Sequence, residues 1–265
     1  MQDVKAGLRR LQRGLSPLPP KTGNENADKT RPWRRVRYFG LGCECPVCES
    51  RLARFATSPK PYPRPQAMCP VCGSMEWYRL GWWYLSAKHP EFLASGRCVL
   101  HVAAEPEIRR RFEGISGLTY AALDLDLRRA SLVADLLHLP LIEESVDLIY
   151  CSHVLEHVDD DRAALREMRR VVRKGGAALL QVPITADKTW GDPSVTDPAE
   201  RTQLFGQHDH VRRYGPDFID IVRGCGWHVE QVRALDVPAD VVRRHGLPHD
   251  ERSRAAFDVF WCTPE

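Results

Sequence analysis

The sequence predicts an α/β fold, a doubly wound parallel sheet preceded by a small cysteine-rich module, and three observations carry that prediction. First, Val146–Tyr150 is an apolar, β-prone run that breaks at Cys151-Ser152-His153. It passes into a charged and apolar helical stretch over 159–173 and returns at Ala177–Pro183 as a second apolar strand. Strand, helix and strand within about 40 residues make a βαβ unit. Second, three further β-prone runs precede it, over 97–105, 118–124 and 132–136. Third, five of the nine cysteines fall within 43–72 in close pairs. In a reducing compartment that pattern reads as metal binding rather than as a disulfide framework.

Composition bounds the class. With 43% hydrophobic and 28% charged residues over 265 positions, the chain reads as a soluble globular protein with one large core and a small extra module. No run of 18 apolar residues is present, so no membrane span is expected. The N-terminus is basic without an apolar stretch behind it, which argues against a signal peptide and for a cytoplasmic protein. The net charge of +3 divides into +7 over residues 1–40 and −4 over the rest. A basic arm can meet nucleic acid, an anionic surface or a partner; the plainer reading is a solvated leader or linker.

Within 1–40, residues 5–15 suit a short basic helix with Leu8, Leu11 and Leu15 on one face, and 16–32 reads as a linker. The module over 41–75 holds Cys45-x2-Cys48 and Cys69-x2-Cys72, separated by 20 residues. Two such knuckles offer four thiolates in a tetrahedron, the geometry of structural zinc, with no open position for a substrate. Cys43 is a fifth thiol that could replace Cys45, but the matched two-residue spacing favours Cys45.

The large domain is read over 76–265. Met75–Pro90 forms an aromatic-rich helix that either glues module to domain or stacks on a base or sugar. Pro106 suits the first position of the helix after the first strand. The helix over 159–173 is expected to end in a left-handed cap at Gly175-Gly176. The polar segment 185–201 reads as a loop over the site, with Trp190 touching substrate or pinning the loop. A helix over 216–226 and a run from His228 follow, and Ala256–Cys262 reads as a last, edge strand.

In an open parallel sheet the ligand sits beyond the carboxyl ends of the strands. There Asp124 can hold a ribose, with Asp126 as its alternative, while Asp135 and Leu136 are placed for an adenine amine. Together they point to an adenosine-bearing cofactor. Ser152 and His153 end the fourth strand and face the same site.

These residues carry a family resemblance. Asp135-Leu-Leu-His-Leu-Pro140, Val146-Asp-Leu-Ile, His153-Val-Leu-Glu-His157, and the run from Lys174-Gly-Gly176 to Val182-Pro183 resemble the type 11 group of class I S-adenosylmethionine-dependent methyltransferases. The Cys-Pro-Val-Cys-Gly-Ser prefix with its aromatic helix, and Phe205-Gly-Gln-His-Asp-His-Val-Arg-Arg-Tyr-Gly215, resemble a subgroup of it. The resemblance covers 43–265. It implies a Rossmann-like sheet, S-adenosylmethionine as cofactor and structural Zn2+ at the N-terminal ribbon.

One departure stands out. The glycine-rich loop of that family is replaced by His101-Val-Ala-Ala-Glu-Pro106, so His101, Ala103, Ala104 and Glu105 would take its place against the cofactor. Transfer to oxygen also needs a base, and Asp209, His210 and His157 are the candidates. A second metal site from His157, His208, Asp209 and His210 is the lesser alternative. The family's amino-methylating members often carry Asn/Asp-Pro-Pro-Tyr/Phe where this chain has Cys151-Ser152-His153-Val154, which favours an oxygen acceptor. The expected substrate is a small molecule or glycan. RNA gripped by the ribbon and basic arm, or a non-catalytic adapter built on the ribbon, are the alternatives. Oligomeric state is not legible.

Overall fold

A computed structural model describes residues 32–59, 63–248 and 257–265. The helix expected over 5–15 lies outside them, as does the expected linker, save for Pro32, which opens helix α1 (Pro32–Arg37). A two-residue hairpin, β1 (Cys43–Glu44) and β2 (Arg51–Leu52), begins the cysteine module. Helix α2 (Glu76–Lys88) follows and ends short of Pro90, whose preceding residue is biased away from helical backbone.

The large sheet then builds in the expected order: β3 (Cys98–Val102), α3 (Pro106–Glu113), β4 (Thr119–Asp124), β5 (Leu132–Val133), β6 (Val146–Ser152), α4 (Asp161–Val171) and β7 (Val172–Gln181). The chain continues through β8 (Trp190–Gly191), α5 (Pro198–Phe205), β9 (Arg212–Arg213), α6 (Phe218–Arg223), β10 (Trp227–Val232), α7 (Ala239–His245) and β11 (Val259–Pro264). Seven strands pair in the order β10-β11-β7-β6-β3-β4-β5. Strands β5, β4, β3, β6 and β7 are parallel, and β11 runs antiparallel between β7 and β10. The order reverses between β3 and β6, so the crevice of this doubly wound sheet lies beyond Val102 and Ser152.

Three elements differ from expectation. Strand β11 is interior, not an edge: Val259, Phe260, Trp261 and Cys262 are all buried, the pattern of a strand covered on both faces. Helix α4 is capped by Asp160, which accepts from Ala163 N–H, and stops at Val171. Gly175-Gly176 is therefore no helix cap. Gly175 keeps its left-handed backbone (φ +74°), but within a bulge of β7 where the register against β6 shifts between Val146 and Leu148. The helix that a doubly wound sheet is expected to place between β4 and β5 is absent, and residues 125–131 join the two strands as turns and bends.

The two faces of the sheet hold different cores. One packs Leu165 and Met168 of α4, with Phe218 and Trp227, onto Ile149, Cys151 and Leu180. The other packs Leu80, Trp82 and Leu85 of α2 onto Leu148, Tyr150 and Leu179, and runs without a break into Val47, Leu52 and Phe55 of the cysteine module. The module is thus docked by its own core. Fully buried Arg79 stitches the joint, donating to the carbonyls of Ala67 and Ser74 on the module and of His245 and Gly246 after α7. Glu44 adds an ion pair to Arg244 at 3.0 Å. Gly81 lets α2 settle this close, because a Cβ there would lie 2.6 Å from Tyr150 Oη and from Gln181 Oε1. Among the described residues no helix is long and apolar enough to cross a membrane.

Candidate functional site

The cysteine cluster forms first from sequence. Cys45 N–H bonds Ser50 O and Glu49 N–H bonds Cys45 O; Cys69 N–H bonds Ser74 O and Gly73 N–H bonds Cys69 O. The two turns are the same knuckle written twice, Cys-Pro-Val-Cys-Glu-Ser and Cys-Pro-Val-Cys-Gly-Ser, and Glu49 and Gly73 both take positive φ. Each turn points two sulfurs inward, so one donor atom from each of Cys45, Cys48, Cys69 and Cys72 lies within 4.8 Å of the others. Cys45 and Cys72, like Cys48 and Cys69, stand 3.8 Å apart. That is too long for a disulfide and equals the ~3.8 Å edge of a sulfur tetrahedron drawn about 2.3 Å from zinc. Cys43 is outside the cluster, with its thiol turned to Leu52 O. The buried Arg79 guanidinium sets a positive charge beside the sulfurs; burial lowers its pKa, and Cys45, Cys69 and Glu76 oppose that.

A second site lies at the carboxyl ends of β3, β4, β5 and β6. At the end of β3 the chain turns through Ala103, which is exposed and left-handed (φ +47°), where a glycine would be unstrained. Ala104 is half-buried beside it. Glu105 caps the turn with its carboxylate inward: Oε2 lies 2.7 Å from His101 Nε2, and Oε1 is buried without a partner. His101 itself is fully buried, with Nδ1 on Tyr120 Oη at 3.1 Å. The sequence pattern placed His101 against the cofactor; the structure places it beneath the turn, where it holds Glu105.

Asp124 ends β4 and accepts from Asp126 N–H through Oδ1 at 3.0 Å. Asp126 pairs with Arg128 at 2.9 Å, and that hydrogen bond lowers its pKa. Asp135 is exposed and accepts from Leu137 N–H, and Leu136 beside it is buried. Their loop is held from α4: Glu167 accepts from Leu139 N–H, and Arg170 donates to Leu139 O and Leu141 O.

At the end of β6, Ser152 is buried and donates to Gln181 Oε1, which ties it to α2 through Gln181 and Trp77 O. His153 takes positive φ (+55°), as Ala103 does across the crevice. Its ring packs against Trp77 and Phe257, Nδ1 lies 3.3 Å from Glu156 Oε1, and Nε2 is buried without a partner. A 3₁₀ turn over Leu155–His157 then directs Glu156 inward and His157 toward the 207–211 segment.

There the structure brings together Asp209, His210 and His157. His157 Nδ1 lies 3.3 Å from Asp209 O and 3.4 Å from Asp209 Oδ2, and its ring meets that of His210 at 4.6 Å. Burial lowers the His210 pKa, opposed in part by the charge of Glu156. Burial pushes Glu156 up, but the hydrogen bond and charge of His153 outweigh it and leave the carboxyl below its ordinary range. Arg212 holds the two segments together, donating to Leu155 O, Val158 O and Asp159 O, while Val211 N–H bonds Glu156 O. His208 is exposed and stands apart from the cluster. Trp190 is pinned by β8–β9 pairing and packs at a tilt against Phe205, with centroids 5.1 Å apart.

The sequence pattern did not single out Glu156 as a site residue. Its signal was the spacing His153-x-x-Glu156-His157 immediately after a buried strand. Four buried polar atoms without partners cluster at this end of the sheet: Glu105 Oε1, Tyr150 Oη, His153 Nε2 and Glu156 Oε2. A buried polar atom left so costs about 1–3 kcal/mol, so each calls for a partner such as water, an ion or a ligand.

Comparison with known proteins places a family model described as a methyltransferase domain on residues 115–180. The malonyl-[acyl-carrier protein] O-methyltransferase of Hamiltonella defensa subsp. Acyrthosiphon pisum (strain 5AT) is 29% identical over 86 residues, 32% of this chain. The match spans 31% of that relative's length. Among solved structures, a chain of the complex between the Haloferax volcanii Trm112 methyltransferase activator and a methyltransferase aligns at TM-score 0.48 and 17% identity, over 68% of this chain and 91% of that one. Phosphoethanolamine N-methyltransferase 2 of Haemonchus contortus, solved with S-adenosyl-L-methionine, aligns at 0.45 and 13%, over 71% and 52%.

Proposed function

We propose that this chain, which carries a methyltransferase domain over 115–180, transfers a methyl group from S-adenosylmethionine to an oxygen of a small molecule or glycan. The observation that carries the reading is the crevice at the β3–β6 reversal, with Asp124 beyond β4 and the left-handed, small Ala103 beyond β3. Asp124 would hold the ribose, Asp135 and Leu136 the adenine, and Ala103, Ala104, Ser152 and His153 would border the methionine end. Glu105, held by His101, offers its unpartnered Oε1 to the cofactor's ammonium group. The bound cofactor supplies an electrophilic methyl on a sulfonium. The protein's own part is alignment of the acceptor and removal of its proton.

Asp209, half-exposed and set against His157, is the base in this reading; His157 and His210 orient it and the acceptor. The acceptor O–H gives its proton to the Asp209 carboxylate. With the cofactor bound, these side chains would hold the acceptor oxygen in line with that methyl. The four-cysteine cluster holds structural zinc and closes the module against α2 and α7.

Calorimetric titration with S-adenosylmethionine tests the reading, alongside Asp124→Ala. Saturable binding that the variant loses supports it. Absence of binding in a folded parent protein would sink it and leave the module as a partner-binding element.

A further inference from the structure

We infer that Glu156, His157 and His210 form a binding site for a divalent transition-metal cation, separate from the four-cysteine cluster. One ligand atom from each of the three lies within 4.8 Å of the others. Glu156 is 1% and His210 6% exposed, so two of the three donors are withdrawn from water. Glu156 spends Oε1 on His153, while Oε2 is buried and makes no hydrogen bond to either ring. An ordinary ion pair would close that gap. A cation with donors about 2.0–2.2 Å away closes it instead.

The surroundings fit a metal site. Metal-ligating histidines commonly turn their second nitrogen to a carboxylate or a carbonyl. His157 does so, with Nδ1 facing both the carbonyl and the carboxylate of Asp209. Arg212, through three carbonyls, and the Val211–Glu156 backbone bond fix the two segments that supply the ligands. Two imidazoles and one carboxylate, with no thiolate, suit zinc, cobalt, iron or manganese and leave coordination positions open, unlike the closed four-cysteine cluster. The site adjoins His153 at the end of β6, so an acceptor oxygen could occupy an open position. That last role rests on the methyl-transfer reading; cation binding does not.

Full-length protein with its cysteine cluster loaded with zinc is titrated with Co2+, followed by visible absorption and calorimetry. One equivalent should bind with a spectrum free of thiolate charge transfer. Affinity should fall by about 100-fold or more in Glu156→Gln and His210→Ala. His208→Ala should bind as the parent does. Near-ultraviolet circular dichroism checks that each variant is folded. If burial makes either variant unfold, the half-exposed His157→Ala serves in its place. No second equivalent in the parent, or equal affinity in folded Glu156→Gln or His157→Ala, would overturn the site. S-adenosylmethionine binding measured on the same samples separates the two ideas: cofactor bound without Co2+ rejects only the metal site, and Co2+ bound without cofactor rejects only methyl transfer.

Discussion

His101 Nε2 and Glu105 Oε2 stand 2.7 Å apart across one turn, sealed at the carboxyl end of the strand where glycines are expected. The pair explains how this turn holds its shape without glycine. His101 is anchored from the other side by Tyr120 and packed among Phe112, Tyr120 and Tyr150. Replacing it by Ala removes the partner of Glu105 Oε2 and opens a cavity among Phe112, Tyr120 and Tyr150. We expect His101→Ala to cost about 2–4 kcal/mol, read by urea unfolding. His101→Gln, which retains a donor toward Glu105, should recover part of that.

Ala103 holds a backbone conformation that costs a non-glycine residue roughly 1–2 kcal/mol. Glycine gives back ~0.4–1 kcal/mol through the looser unfolded chain. Ala103→Gly should therefore be neutral to stabilising by about 1 kcal/mol, seen as an unchanged or raised Tm. Ala103→Val should destabilise, since a branched side chain tolerates this region worse. A lowered Tm for the glycine variant would mean that the left-handed turn is not held in solution.

Glu167 gives the fold a pH dependence near the candidate cofactor site. Its carboxyl is held below the ordinary range, chiefly by the Arg170 hydrogen bond, opposed in part by burial and helped by Leu139 N–H. A depressed carboxyl stabilises the fold above its unfolded pKa, and that contribution is lost as pH falls through the folded value. The Asp135–Leu141 loop should thus loosen in acid, below about pH 4.5. Hydrogen exchange at Leu139 should rise there in the parent protein. In Glu167→Gln it should be raised already at neutral pH and flat across the acid range.

Much of this was legible because the βαβ rhythm depends on local patterns: apolar runs, the acid-rich turns after them, and the paired cysteines. What was missed depended on partners distant in sequence. Ala256–Cys262 reads as a strand but nothing in it says that β10 pairs outside it; only burial on both faces does. Gly175 reads as left-handed, but a helix cap and a strand bulge both want that residue, and the choice falls to Asp147 of the neighbouring β6, whose carbonyl lies against Gly176. That buried carboxylate accepts from Cys98 N–H and pairs with Arg97 and Arg173, drawing the chain across β6 at the bulge. Glu156 escaped notice because its inward aim comes from a 3₁₀ turn that Arg212 holds from 57 residues beyond Leu155.

Geometry adds to the spacing in favouring Cys45 over Cys43 as the metal ligand. Cys45 lies fully buried, 3.8 Å from Cys72, and Cys43 points to Leu52 O. In cobalt-substituted protein the thiolate charge-transfer band reports this cluster alone, whatever binds at the histidines. Cys43→Ala should keep the band and shift Tm little. Cys45→Ala should weaken or abolish it and lower Tm by many degrees, because a structural site contributes folding free energy directly. The loss should reach beyond the module: Arg79 would then sit among Phe55, Ala67 and Gly246 without the thiolates that offset its burial. Limited proteolysis should accordingly cut both the module and the segment after α7 in Cys45→Ala. Equal metal loss in both variants would mean that Cys43 is a ligand, and that the knuckle pair is not the unit that binds.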